Sequence, residues 1–306
     1  MQPVPRARNA SQPQRRTGTG RGAQTRLDKL VFTSMKIQPS TEKAGSRGKP
    51  TPVQLAYHED EIMMLVCLDP QTWQGTEYDN HSTPLEQINP TKLDTDQWCR
   101  VAKSFGAKRI IHVAKHTGNF LWWQSDLSQY GIKHTPYKNG KGDVVVELVE
   151  SCHAHGLKYG IYVYPHRTDA RTYRNELTEV LSKDVFKKHG PVCEVWFDGG
   201  MRWQVMDILA KHAPNAIYFA GPAGHMRARW PGSESGYSPE PAWQTVRQRP
   251  GFGSYTGFHS DPDGDLWLPM EMDTTFLDHK WYWAPNTDHM IKSLDHLMTI
   301  YYRSVG

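Results

Sequence analysis

From residue 52 onward, apolar runs of strand length alternate with stretches of helical spacing. "EIMMLVCL" (61–68) is continuously apolar over the length of a buried strand. "LDTDQWCRVAKSFG" (93–106) has helical spacing, with Asp94 or Thr95 as N-cap and Gly106 as the stop. "RIIHVAKH" (109–116) predicts a second strand, and "GDVVVELVESCHAHG" (142–156) a helix capped by Asp143 and closed by Gly156. The rhythm continues through strand 158–165, helix 172–186, strand 193–200, helix 202–215 and strand 216–222. After a Gly/Pro-rich stretch, "LWLPMEMD" (266–273) reads as another strand, and residues 286–306 as a long closing helix.

Continuous apolar strands separated by amphipathic helices imply a parallel sheet covered by helices, an α/β fold. A doubly wound sheet and a (β/α)8 TIM-like barrel compete. No glycine-rich phosphate loop follows the first strand, where "CLDPQTW" stands, so the nucleotide-binding version loses ground. Polar groups recur where strands end: His116, Tyr164 with His166, Asp198 and Glu271. In a barrel all these ends share one face, so the expectation is a barrel with its chemistry there.

Charge divides the chain. Residues 1–50 hold seven Arg and four Lys against Asp28 and Glu42, a balance of +9, which leaves −5 for the rest of a chain of net +4. The folded part is mildly acidic, and nucleic-acid binding is not expected. The first fifty residues are too polar for a core and are expected to be a disordered basic extension, with residues 51–306 forming the barrel domain. That extension resembles a transit peptide and lacks a secretory h-region, so compartment stays open. No apolar run reaches the roughly 20 residues of a membrane span. Cys67, Cys99, Cys152 and Cys193 have no paired spacing and read as free thiols. His153 with His155 and the "DPDGD" turn (261–265) do not make metal sites, so no metal or cofactor is expected. The 11 Trp and 14 Tyr fill a large core or line a sugar groove.

In "EVWFDGG" (194–200) an apolar strand delivers Asp198 into two glycines. An ordinary turn would explain this. So would a carboxylate facing a cavity, with Gly199 and Gly200 leaving room for a ligand. Glycosidic hydrolysis needs two carboxyl groups, and the partner is either Glu234 in "RWPGSESGY" (229–237) or Glu271 on the 266–273 strand.

"GAKRIIHVAKHTGNFLWWQSD" (106–126), "TPYKNGKGDVVVELVESCHAHGLKYGIYVYP" (135–165), "GPVCEVWFDGG" (190–200) and "RWPGSESGYSPEPAW" (229–243) together resemble the α-L-fucosidases of glycoside hydrolase family 29. The likeness covers about residues 52–306. It implies a retaining hydrolase of terminal α1,3- or α1,4-linked L-fucose on glycans. Asp198 would be the nucleophile and Glu234 the acid/base, with Glu271 the second choice. His116, Trp122, Trp123, Tyr164, Arg229 and Trp281 would line the sugar pocket. A separation of about 5–5.5 Å between the two carboxyl groups follows from a retaining mechanism. The family's compartment would be secreted or lysosomal.

Departures from the family pattern are also legible. Asp69 stands where many relatives carry a sugar-binding His, Thr117 replaces a second histidine, and the loop between Arg167 and Tyr173 is short. The chain ends at "YYRSVG", before the family's next strand and β-sandwich, so the resemblance implies a barrel incomplete at its C-terminus. A fucosidase-like protein that binds sugar without turnover is therefore the alternative, and a retaining barrel hydrolase of another sugar a third reading.

Overall fold

The computed structural model describes residues 48–221, 226–247 and 260–305. Most of the basic extension, and all but the last residue of 250–260, where the sequence offers a further candidate strand, therefore lie outside the described residues. Gly48 is already tied down, donating its N–H to the Gly264 carbonyl at 2.8 Å.

Six parallel strands follow one another across the sheet: β1 Met63–Val66, β2 Arg109–Lys115, β3 Lys158–Val163, β4 Glu194–Trp196, β5 Ile217–Phe219 and β6 Arg227–Ala228. The order never reverses, whereas a doubly wound sheet has a switch point. One face carries an aromatic interior of Ile111, Val113, Tyr162, Trp196 and Phe219. The other packs on helices through a larger cluster that includes Ile110, Ala114, Ile161, Val195, Leu148 and Leu177. The architecture is α/β: a parallel sheet with helices packed on one face and an aromatic cluster on the other. A further run continues the parallel order beyond β6, since Arg229 bridges Met270.

The helices are α1 Pro52–His58, the short α2 Gln71–Gln74, α3 Thr95–Ser104, α4 Val144–His155, α5 Ala170–Leu181, α6 Asp184–His189, α7 Met206–His212 and α8 Leu294–Ser304. Asp94 and Asp143 cap α3 and α4 by accepting the N–H of Gln97 and Val146, and Gly156 ends α4 in the left-handed region. No helix among the described residues is long and apolar enough to cross a membrane.

Three expected elements differ. The 172–186 helix is broken into α5 and α6 at Lys183, whose extended backbone carries an ammonium 2.8 Å from Asp143. The 266–273 strand is split by Pro269, which has no N–H to donate. Before it, β8 Leu266–Trp267 pairs antiparallel with β7 Thr245–Val246; after it comes the Met270 bridge. The closing helix starts only at Leu294, where Ser293 caps it. The four cysteines are thiols, and Cys99 Sγ lies 3.9 Å from Cys152 Sγ between α3 and α4.

β2 contains an irregularity that positions the site. Its register against β3 shifts between Val113 and Lys115. Val113 faces the interior, Ala114 the helices, and Lys115 the helices again, where its ammonium pairs with Glu176 of α5. The extra residue resets the alternation, so His116 turns inward.

Charges at the opposite, N-terminal face are structural. Arg109, which opens β2, donates to Glu194 at 3.2 Å and to the Tyr57 carbonyl at 2.7 Å, and pairs with Asp60 at 3.0 Å. All of these are buried. Arg109→Met leaves the buried Glu194 without its cation and Asp60 with Lys158 alone. Urea unfolding is expected to show a loss of roughly 3–5 kcal/mol. An unchanged midpoint would mean the cluster adds nothing net to stability.

Candidate active site

Glu194, Trp196 and Asp198 alternate along one strand and share its interior face, which brings Asp198 to the C-terminal mouth. Tyr162 on neighbouring β3, in register with Trp196, donates its hydroxyl to Asp198 Oδ2 at 2.7 Å. Burial, reinforced by the Asp198 charge, pushes the Tyr162 hydroxyl well above its ordinary value, so it remains a donor. Among the described residues Asp198 Oδ1 has no such partner, and the side chain is half-buried. The glycines after it have the backbone of a turn. Gly199 and Gly200 sit at φ +72° and +88°, and a Cβ on Gly200 would meet nothing nearer than 3.9 Å. The left-handed backbone at both positions favours glycine.

His116 lies beside this pair, its ring 5.8 Å from Tyr162, 6.1 Å from Tyr164 and 5.3 Å from Tyr282. Burial, with help from the Arg167 charge, pushes its imidazole down to about 4, so it is neutral near pH 7. Gln71 Nε2, a donor only, approaches His116 Nδ1 at 2.9 Å. Nδ1 therefore accepts, and the ring proton is on Nε2.

Glu234 is exposed on the loop that follows β6, and the Trp281 indole donates to its Oε2 at 3.0 Å. Trp281 is in turn fixed by its backbone N–H to Glu77 at 2.9 Å, and the next residue is the Tyr282 that packs on His116. Glu234 and Asp198 are thus joined to one aromatic group through Trp281–Tyr282–His116–Tyr162.

The other expected residues are placed differently. Glu271 is buried in the interior, one oxygen accepting from Trp196 Nε1 at 2.7 Å and the other from the Tyr57 hydroxyl. Arg229 is buried with its guanidinium on the carbonyls of Leu268 and Trp243, and burial pushes it down to about 10. Trp122 is fully buried and donates to Asp69 at 3.0 Å, while Trp123 is fully buried between sheet and helices and donates to Glu179 at 2.7 Å. The structure does not bring Glu271, Arg229 or Trp123 into the group around Asp198.

Several buried polar atoms near His116 have no protein hydrogen-bond partner: Asp69 Oδ2, Gln71 Oε1 and the Tyr282 hydroxyl. Burial pushes the Asp69 carboxyl well above the carboxylate range, the Trp122 bond opposing and the Asp79 charge adding. Buried groups of this kind find partners, and a hydroxyl-rich ligand is one way to supply them. Tyr162 is missed by the sequence reading, and strand parity, two residues before Tyr164, is the signal that could have found it. The same parity relates Asp273 to Glu271. Asp273 accepts from Trp230 Nε1 at 2.7 Å, and its carboxyl is pushed up to about 7, mainly by burial. The larger surface hollow, about 620 Å³ between Val146, Glu150 and Lys188, is shallow and lies on the helical exterior, away from these groups.

A family model described as "Alpha-L-fucosidase" matches residues 69–305. "Alpha-L-fucosidase 1" of Arabidopsis thaliana is 29% identical over 278 residues, covering 84% of this chain and 54% of its own length. "Putative alpha-L-fucosidase 1" of Oryza sativa subsp. japonica is 28% identical over 282 residues, covering 84% of this chain and 52% of its own. Among solved structures, a glycoside hydrolase 29 family member from an unknown rumen bacterium aligns with TM-score 0.75 at 29% identity, over 85% of this chain and 51% of that one. A putative alpha-L-fucosidase from Bacteroides thetaiotaomicron VPI-5482 aligns with TM-score 0.73 at 29% identity, over 85% and 69%. The chain spans about half the length of the curated relatives it matches.

Proposed function

Because the chain belongs to the alpha-L-fucosidase family, we propose that it hydrolyses terminal α-L-fucosides by a retaining double displacement, with Asp198 as nucleophile and Glu234 as acid/base. The observation that carries this reading is the Asp198 carboxylate held by Tyr162 at the end of β4, with Glu234 tethered to the same aromatic group through Trp281. Asp198 attacks the anomeric carbon as the glycosidic C–O bond breaks, and the Glu234 proton goes to the departing oxygen. A water molecule then gives its proton to Glu234 and its oxygen to the anomeric carbon. Fucose leaves with its configuration kept, and Asp198 is freed as the carboxylate. The proposed separation of the two carboxyl groups in the closed complex is about 5–5.5 Å. The preference for α1,3- and α1,4-linked fucose on branched glycans rests on the Gly232-Ser233-Glu234 loop, and no nucleic-acid or membrane partner is invoked.

His116 Nε2–H, Tyr164 and the unpartnered atoms of Asp69, Gln71 and Tyr282 are the proposed contacts for sugar hydroxyls, with Trp281 along the apolar face of the ring. Trp122 supports this group from behind by orienting Asp69. Tyr282→Phe removes a hydroxyl that makes no protein bond, so thermal stability is expected to hold or rise slightly. Fucose affinity by calorimetry is expected to fall about tenfold, the worth of one hydrogen bond to a buried group. Unchanged affinity would take Tyr282 out of the sugar site. Turnover of an aryl α-L-fucoside by the purified chain, with anomeric configuration read by NMR, tests the whole assignment; binding of fucose without turnover would leave a lectin-like protein instead.

A further inference from the structure

Asp273 has no part in the double displacement, yet it joins the two segments that frame Glu234. Its Oδ1 accepts from the indole of Trp230, at the root of the loop carrying Glu234. In the opposite sense, Trp281 on the Asp273 side donates its indole to Glu234. The two segments therefore exchange indole–carboxylate bonds. They are also registered at their base, where Arg229 N–H donates to Pro269 O at 2.8 Å and Glu271 N–H to Arg229 O at 2.9 Å. Farther along, Gly236 at φ +78° lies so close to Thr274 that a Cβ there would sit 3.1 Å from the Thr274 Cβ. Trp230 itself packs on the interior aromatic cluster. The Trp230–Asp273 bond thus ties the root of the Glu234 loop to the segment that carries Trp281.

We propose that Asp273 is a positioning residue for Glu234, fixing Trp230 so that the loop holds the acid/base carboxyl over the mouth. This rests on the assignment of Glu234 above. The charged groups facing Asp273 are Glu234 from the opposite loop and Glu271 from its own segment, with the Trp230 indole as donor. Burial raises its carboxyl to about 7, the two carboxylates add to the rise, and the indole opposes it. A raised acid binds its proton more tightly folded than unfolded. Its favourable contribution to stability is therefore present below the unfolded value near 4 and is lost as pH rises toward about 7.

The test compares Asp273→Ala, Asp273→Asn and Trp230→Phe with the unmodified chain on two α-L-fucosides. One has an activated nitrophenol leaving group; the other has a sugar alcohol that needs a proton to depart. Misplacing an acid costs rate only where protonation matters. Asp273→Ala and Trp230→Phe are expected to lose about tenfold in kcat/KM on the sugar alcohol and to stay within about twofold in kcat/KM on the nitrophenyl compound, since that ratio reports the first step, in which the leaving group departs. Asp273→Asn keeps an acceptor for the indole and should recover most of the loss. Equal losses on both substrates, no loss on either, or no recovery with Asn would overturn the proposal. Glu234→Ala on the same pair isolates the underlying assignment: if it shows no leaving-group dependence, the acid/base reading itself fails. A second readout needs no turnover. The Tm advantage of Asp273→Asn over the unmodified chain should grow between pH 4 and 7 and then level off; a difference independent of pH would equally overturn the placement.

Discussion

Asp198→Ala is expected to lower kcat on an aryl α-L-fucoside by on the order of 10⁴-fold or more, because the step it removes has no substitute in the site. That factor corresponds to roughly 5 kcal/mol of barrier. The side chain is held by a single protein bond, from the Tyr162 hydroxyl, and it closes a strand whose core residues remain. Folding should therefore survive, which circular dichroism would verify alongside the kinetics. Azide enters the space left by the carboxylate and attacks the anomeric carbon directly, so added azide should restore turnover of an activated substrate and yield the fucosyl azide of inverted configuration. Hydrolysis that persists in Asp198→Ala without azide would remove Asp198 as nucleophile.

Glu234→Ala is expected to cost about 10²–10⁴-fold on fucosides whose leaving group needs a proton, and far less on a dinitrophenyl fucoside. The first step needs no acid with such a leaving group. The second still lacks its base, so the fucosyl-enzyme accumulates and azide releases it with configuration retained. The same comparison on Glu271→Gln decides between the two candidate acids. Glu271 has both oxygens engaged, by Trp196 and Tyr57, inside the core. Its substitution is expected to lower stability without a leaving-group split. A split at Glu271 and none at Glu234 would reverse the assignment.

The residues that were legible in the sequence are those whose role follows from a strand end. Asp198, His116 and Tyr164 each end an apolar run; parity gives the face of Asp198 and Tyr164, whereas the irregularity in β2, which leaves no mark in the sequence, sets that of His116. Trp122, Trp123 and Arg229 follow strands or open loops just as plainly, but sequence cannot show what their polar atoms bond. Asp69, Glu179 and the carbonyls of Leu268 and Trp243 satisfy them within the protein. Glu271 illustrates the same limit, since its partner Tyr57 lies on α1, far away in the chain. The split at Pro269 was readable from proline chemistry. The return of Met270 to Arg229 was not, because one bridge across 40 residues leaves no periodicity. The glycine pair after Asp198 is legible as a turn, and the left-handed backbone at both positions agrees with that reading.

The slipped register in β2 also decides which kind of cation chemistry the reaction centre can have. An unbroken ladder that kept Ala114 would restore strict alternation and swing the Lys115 ammonium inward, into the space now held by a neutral imidazole, on the face that carries the Asp198 carboxylate. An ion pair between the two would tie up the electron pair that has to attack carbon, and Glu176 would be stranded without its counter-ion beneath α5. The irregularity that absorbs one extra residue thus keeps a permanent positive charge out of a compartment whose reactivity depends on an unquenched anion.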